Sequence, residues 1–316
     1  MLAPLPAPVA PPKGRLARFL DSDLFHSFKS SPTAVVAATV GMLMTLAALF
    51  AGVLAPQNAF NPAALNLMDG YTKPLEPGMG SGGFFLLGAD AQGRDILSAI
   101  LYGSRLSLIV GVASVAFSLV LGVGLGLLAG YVGGKTEALI MRIADIQLSF
   151  PAILIALLVF GVARGLIPPD RHEEMAIMVL IIAIGLSNWA QYARTVRATT
   201  LVEKGKVYVD AARLIGLKPF VIMLKHVLPN VTGPVLVIAT INLALAIIEE
   251  ATLSFLGVGM PPTQPSLGTL IRIGQQFLFS GEWWILFTPA LALILLALSI
   301  NLLGDWLRDV LNPRLR

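Results

Sequence analysis

Two adjacent carboxylates, Glu249 and Glu250, lie inside a long apolar run of the 316-residue sequence. A carboxylate at membrane depth is costly enough to point to function by default: it could meet a cationic group on a passing substrate, or form half of a diacid hydrolase. The hydrolase needs two carboxylates facing each other within the bilayer. Neighbours on a helix point about 100° apart, so this pair is poorly built for that chemistry and at most one of the two faces a pathway. There it could meet the ammonium terminus of a peptide. The alternative is that both bond to arginine or backbone on neighbouring helices and hold a bundle together. Asn242, two turns before Glu249 on the same side, is a candidate to line the same path. Elsewhere the chemistry thins out. His26, His172 and His226 are too dispersed to predict a metal site, and the absence of cysteine excludes disulfides, iron–sulfur clusters and thiolate zinc. No GxxxxGK[ST] occurs, so the chain is expected to bind no nucleotide and to hydrolyse no ATP itself.

The elements that must carry these residues are helices in lipid. The sequence is 56% hydrophobic and 13% charged, with mean hydropathy +0.81, which makes it an integral membrane protein. Runs long enough to cross about 30 Å of hydrocarbon occur near 34–54, 107–129, 145–163, 175–193, 233–255 and 284–303, predicting six spans. The first is too long for the apolar core of a cleaved signal peptide and reads as an uncleaved helix. With the N-terminus inside, sixteen Lys and Arg fall in inner segments and six in outer ones, which places both termini in the cytoplasm. The net charge of +4 is therefore a matter of topology and calls for lipid rather than nucleic acid.

The Pro-rich start is expected to be a tail. After it, Leu16, Phe19, Leu20, Leu24, Phe25 and Phe28 recur at helical spacing, as in a helix lying in the membrane interface or packed on the protein's own surface. The outer segment 56–105 is rich in Gly, Pro and Asn and reads equally as an ordered irregular cap or a mobile loop. At its end Asp90, Arg94 and Asp95 form a turn that could receive an external partner or brace the loop. Gly122, Gly126 and Gly130 make small-xxx-small steps, which predict close helix packing. Asp145 is expected to serve as a first-turn carboxylate or to pair with Arg142.

The inner loop Ala193–Thr232 holds seven of the sixteen inner basic residues and the stretch "YVDAARLIGLKPF". Tyr208, Ala211, Ala212 and Ile215 fall at i, i+3, i+4 and i+7 and predict one face of a short helix. Gly216 suits the left-handed position that ends it, and Pro219 the first turn of the next. Small residues let another backbone approach closely, so this face either sinks into a groove on a partner or packs on the protein's own spans. Arg213, Lys218 and Lys225 could pair with acids on a partner or with anionic headgroups.

Asp210-Ala211-Ala212, three residues, Gly216, then Leu228-Pro229 resembles the "EAA" loop in the membrane subunits of bacterial ABC importers, with Asp210 for the glutamate and His226 for an isoleucine. Four further blocks resemble the peptide and nickel branch of that family, in order. These are "LLGADAQGRDILSAILYGSRLSLIVG", with Ala89 and Ala99 for Thr and Arg; "GYVGGKTEALIMRIADIQLSFPAILIAL"; "EEATLSFLGVGMPPTQPSLGTLI", with Leu267 for Trp; and "NLLGDWLRDVLNPRLR", with Asn312 for Asp. They cover about residues 86–316, and the likeness is to the DppC/OppC-type permease. It implies an all-α polytopic protein with six transmembrane helices and a cytoplasmic coupling helix, the transmembrane domain of a type I ABC importer in a bacterial inner membrane.

In such a protein Tyr208, Asp210, Ala211, Ala212, Arg213, Gly216, Leu217 and Pro219 would form the coupling helix that docks on an ATPase. Glu249, Glu250 and Asn242 would be pathway candidates, and Asp90, Arg94 and Asp95 would be candidates for contact with a binding protein. The resemblance also implies two ATP-binding subunits holding ATP and magnesium, a second DppB/OppB-type permease and an extracytoplasmic binding protein. The expected organisation is residues 1–33 as tail and interfacial helix, 34–105 as first helix and outer loop, and 106–316 as a five-helix transport domain with the EAA-like loop near 206–230. A self-sufficient channel or secondary transporter would need inverted repeats, and the sequence shows no clear one.

Overall fold

The structure, a computed structural model, describes residues 23–311. The tail, the interfacial residues Leu16, Phe19 and Leu20, and Asn312, Arg314 and Arg316 lie outside the described residues. A short helix, α1 (Asp23–Ser30), leads into α2 (Pro32–Leu49), whose start is capped by the Ser31 hydroxyl on the Ala34 amide and by Pro32 in the first turn. Phe28 of α1 meets Trp306 edge to face at 5.2 Å, so the described part of this segment packs on the protein's own last helix.

After one turn of helix, α3 (Ala51–Leu54), the outer segment is an ordered irregular cap. It contains two 3₁₀ turns and a two-stranded ribbon of β1 (Glu76–Pro77) and β2 (Phe84–Phe85), with Glu76 opposite Phe85. Asp95 then caps α4 (Ile96–Val132) by accepting from the Ser98 amide and hydroxyl, so this helix begins eleven residues before the expected 107. Gly133 and Gly134, with φ of +75° and +59°, reverse the chain at once into α5 (Gly134–Leu148).

The expected third span, 145–163, is corrected here. Residues 145–148 end α5, and the chain bends by 101° before α6 (Ala152–Leu166). Pro151 lacks an amide hydrogen and pushes Phe150 out of helical backbone, which breaks the run at this point. Among the described residues five helices are singly long and apolar enough to cross a membrane, and the bent pair, counted as one span, brings the number to six.

The next two helices also outrun the sequence reading. α7 (His172–Lys204) continues eleven residues past 193, and what was expected as a 40-residue loop is reduced to α8 (Val207–Leu214) and its turns. Beyond it α9 (Pro219–Ile222), a π turn (Met223–Val227) and α10 (Leu228–Phe255) run on as one helical segment. Then come α11 (Leu267–Gln275), started by Ser266, and the last span α12 (Trp284–Leu311).

α4 and α7 form the main seam of the bundle. Ser114, Ser118, Gly122, Gly126 and Gly130 recur every fourth residue along α4, all buried. A Cβ at Gly122 or Gly126 would lie 2.5 Å from the carbonyl oxygen of Trp189 or Ala193, and one at Gly130 2.7 Å from Thr200. Ser118 donates to the Gly185 carbonyl at 3.0 Å. Backbone approach this close, with no solvent-driven force between helices in lipid, is the packing that small-residue steps permit.

Gly126→Leu is therefore expected to overpack the seam and cost about 1–3 kcal/mol, seen as a lower unfolding temperature in detergent. Gly124→Leu points into open space and should leave that temperature unchanged. Equal behaviour of the two variants would contradict the seam.

Candidate functional site

α8 lies at one end of the bundle, against the ends of α4 and α7 and the start of α10, and has two different sides. Val209 and Ala212 are buried in a cluster with Leu127 and Tyr131 of α4, Tyr192 and Val196 of α7, and Ile222, Met223, Val227, Val231 and Val235. The opposite side is open: Val207 is 85% exposed, Leu214 88%, Ile215 75% and Phe220 67%, with Ala211 exposed among them. The expected four-residue face is thus divided. Ala212 serves the protein's own core, Ala211 and Ile215 the free surface, and Tyr208 is half buried.

The helix ends as its sequence requires. The Leu217 amide donates to the Ala212 carbonyl and the Gly216 amide to that of Arg213, closing a left-handed cap around Gly216 at φ +79°. A Cβ on Gly216 would meet nothing within 4 Å, so the glycine is needed for its backbone and leaves the surface beside it clear.

Polar bonds tie this helix to the spans. The Tyr208 hydroxyl donates to Glu203 Oε2 at 2.6 Å and accepts from Asn230 Nδ2 at 3.1 Å, joining the end of α7 to the start of α10. Burial and the Glu203 carboxylate both push the Tyr208 hydroxyl above its ordinary pKa, keeping it neutral and a donor. Lys206 bonds Glu203 at 2.6 Å, and Lys204 donates to the Tyr131 carbonyl at 2.5 Å. Arg213, expected to reach a partner, is engaged within the chain: it bonds Asp210 at 2.9 Å and lies over the Tyr131 ring. Lys218 and Lys225 are exposed and, among the described residues, pair with no carboxylate.

The two membrane carboxylates part company. Glu250 is wholly buried and accepts from Ser107 of α4 at 2.6 Å and Ser254 at 2.7 Å. Its partners are hydroxyls, not the arginine or backbone expected: a small serine on the facing helix, Ser107, and one a turn along its own, Ser254, satisfy the carboxylate without a second charge. Glu249 turns about a quarter-circle away and accepts from Asn188 of α7 at 2.8 Å. Two turns inward, Asn242 reaches Gln191, one turn along α7 from Asn188, at 3.5 Å. Asn242 and Glu249 therefore share a polar ladder with α7, and Glu250 lies outside it. Gln191 and Asn188 escaped the sequence reading, although their i, i+3 spacing in an apolar helix was a usable signal.

Two further inner carboxylates link α5 to α7, Glu137 to Arg197 and Asp145 to Arg194. Asp145 thus sits in the last turn of its helix and pairs across to α7, correcting both the first-turn role and the Arg142 pairing.

In the irregular cap before α4, Asp90, Arg94 and Asp95 are buried, at 5%, 5% and 2% exposure. Asp90 accepts from the amides of Gln92 and Arg94, and Arg94 bonds the Gln92 side chain. Burial pushes the Asp90 carboxyl above its ordinary value against the pull of Arg94 and those amides. Their side chains brace the cap from within, the second of the two readings, and their burial goes against the first, contact with an external partner, which needs exposed groups. Asp69 organises the same cap by accepting from the amides of Gly80 and Ser81. Burial raises its pKa, but these bonds and the Ser81 hydroxyl outweigh it and hold the carboxyl below its ordinary value.

Residues 122–316 match the family described as binding-protein-dependent transport system inner membrane component, and residues 22–74 match the N-terminal TM domain of oligopeptide transport permease C. The chain is 36% identical over 295 residues to the di/tripeptide transport system permease protein DppC of Pseudomonas aeruginosa, covering 93% of this chain and 92% of the relative. It is 34% identical to the glutathione transport system permease protein GsiD of Pectobacterium atrosepticum, over 93% of this chain and 91% of that one. For the oligopeptide transport system permease protein OppC of Bacillus subtilis the identity is 33%, over 93% and 90%. Among solved structures, a chain of the MetNI methionine ABC transporter in an inward-facing conformation superposes with TM-score 0.53 at 21% identity, over 68% of this chain and 96% of that one, a likeness of fold.

Glu250→Ala should strand the Ser107 and Ser254 hydroxyls and open a cavity, costing about 2 kcal/mol or more. Glu249→Ala, on the half-buried ladder, should cost less. Thermal unfolding of the two variants in detergent checks the order, and the reverse order would contradict the division of roles.

Proposed function

The chain belongs to the family of binding-protein-dependent transport system inner membrane components, and from that premise we propose that it forms half of a translocation pathway for di- or oligopeptides. The other half is a second permease of the DppB/OppB type. Substrate arrives from an extracytoplasmic binding protein, and both termini face the cytoplasm. ATP and magnesium are held by two partner ATPase subunits, and this chain supplies the surface on which one of them docks.

The observation that carries the docking role is the two-sided character of α8. Its open side presents Val207, Ala211, Leu214 and Ile215, with Phe220 beyond the Gly216 turn, an apolar surface on the side of the molecule where the basic residues concentrate. Its closed side is bedded among α4, α7 and α10. Closure of the ATPases pushes α8 as a rigid body, and the Tyr208 bonds to Glu203 and Asn230 pass that push to the ends of α7 and α10. Those two helices carry the polar ladder of Asn188, Gln191, Asn242 and Glu249, so movement between them changes the groups open to a substrate. Amides and a carboxylate suit a peptide's backbone and ammonium terminus. Glutathione, itself a tripeptide, is the second reading, supported by the likeness to GsiD; a nickel chelate or a sugar would be a different cargo of the same importer.

Gly216→Trp and Ala211→Arg are expected to leave the chain in the membrane but release the ATPase on co-purification, because both add bulk to the open side. Tyr208→Phe should keep the ATPase bound, with ATP hydrolysis close to normal, while transport by the reconstituted importer falls severalfold, as expected for loss of hydrogen bonds of about 1 kcal/mol each. Transport by this chain purified alone would refute the importer reading. A screen of the cognate binding protein against peptides, glutathione and metal chelates identifies the cargo.

A further inference from the structure

Between the outer halves of α2 and α4 runs a groove lined by Thr45, Ala48 and Leu49 on one side and by Leu108, Ile109, Val112 and Ala113 on the other, with Arg105 at one end. Along α4 the numbering from 105 to 113 runs inward, and along the antiparallel α2 the numbering from 49 to 45 does the same. Arg105 therefore stands at the outer mouth, and the groove descends from it for roughly 12 Å, eight residues of rise. It exists because the residues that α2 and α4 turn toward each other there are small, Ala48, Thr45 and Ala113, while Leu49, Ile109 and Val112 flank it as exposed apolar walls.

Arg105 is exposed and, among the described residues, has no carboxylate within 4 Å and no hydrogen-bond partner. Its depth is marked by aromatic side chains: Tyr102, one turn outward on α4, meets Phe60 with ring centres 5.0 Å apart and the rings tilted, and Phe50 follows the end of α2 with 57% exposure. Tyrosine and phenylalanine at this level fit the boundary between hydrocarbon and headgroups. An unpaired guanidinium at that boundary above a dry apolar groove is matched by one kind of molecule, with a phosphate at the boundary and a hydrocarbon chain below it.

We propose that this groove is a binding site for a phospholipid of the outer leaflet, its phosphate held by Arg105 and one acyl chain laid between α2 and α4. The anionic headgroup of phosphatidylglycerol, with no ammonium to compete for the guanidinium, is the preferred occupant. A bound lipid fills the space that the small residues leave, and so fastens the peripheral first helix to the bundle.

The test uses the whole importer, purified from nanodiscs of phosphatidylcholine with a minor fraction of phosphatidylglycerol, and counts retained lipid by native mass spectrometry. The wild type should retain phosphatidylglycerol through detergent washing. Arg105→Gln should lower retention about fivefold, the factor for one basic group near a headgroup, and Arg105→Lys should keep most of it. Ala113→Phe, which fills the groove and leaves the charge, should lower retention as well. Unchanged retention in both Arg105→Gln and Ala113→Phe would overturn the site. So would displacement of the lipid by excess inorganic phosphate, or efficient cross-linking of Ile109→Cys to the second permease, which would make the groove a subunit contact.

Discussion

Everything in this bundle hangs on how closely α4 can approach α7. In lipid the apolar side chains of two helices gain nothing by leaving solvent for one another, so association rests on van der Waals contact between backbones and on hydrogen bonds too costly to leave unmade. The ridge of Ser114, Ser118, Gly122, Gly126 and Gly130 supplies the first, and the Ser118 bond to the Gly185 carbonyl adds the second. With α7 fixed against α4, other positions follow. Tyr131 and Leu127 at the end of α4, with Tyr192 and Val196 of α7, become the floor under α8. Higher up, α10 crosses the pair and meets both, its Glu250 taken by a serine of α4 and its Glu249 by an asparagine of α7. The same two helices therefore anchor both the bed of α8 and the polar ladder of Asn188, Gln191, Asn242 and Glu249.

The junction between α8 and α10 is stiff in one sense and yielding in another. Tyr208 clamps it through Glu203 and Asn230, yet Met223–Val227 is wound as a π turn, with the Leu228 amide reaching back to the Met223 carbonyl. Pro229 has no amide hydrogen to offer the Lys225 carbonyl, so the ordinary ladder is interrupted just where the segment leaves the inner surface. α8 is thus joined to α10 by one polar clamp and one loosened turn, and on the proposed docking role a push on α8 would reach the long helix through both.

The sequence made the spans legible, since twenty-residue apolar runs have no other stable use, and the lysine and arginine asymmetry gave an orientation. The glycine steps of α4 and the left-handed Gly216 were equally readable, because each follows from backbone geometry alone. Helix ends were not. α4 starts early on the strength of one capping bond from Asp95, and α7 runs past 193 through polar residues that a hydropathy window discards. Nor could periodicity tell which alanine of α8 turns inward: Ala211 and Ala212 differ by about 100° of rotation, and only the packing of Val209 decides. The turn of Asp90, Arg94 and Asp95 left two readings open for a related reason, since a buried turn brace and an exposed recognition turn use the same Asp and Arg.

The break at Pro151 bears on the membrane itself. α6 is a helix of fifteen residues, about 22 Å long, against roughly 30 Å of hydrocarbon. Where α6 crosses the hydrocarbon without α5, a mismatch of about 8 Å would be taken up by thinning of the surrounding leaflet or by the flanking residues reaching outward, at fractions of a kcal/mol per Å. On that flank the energy of the protein would then depend on the thickness of the lipid around it.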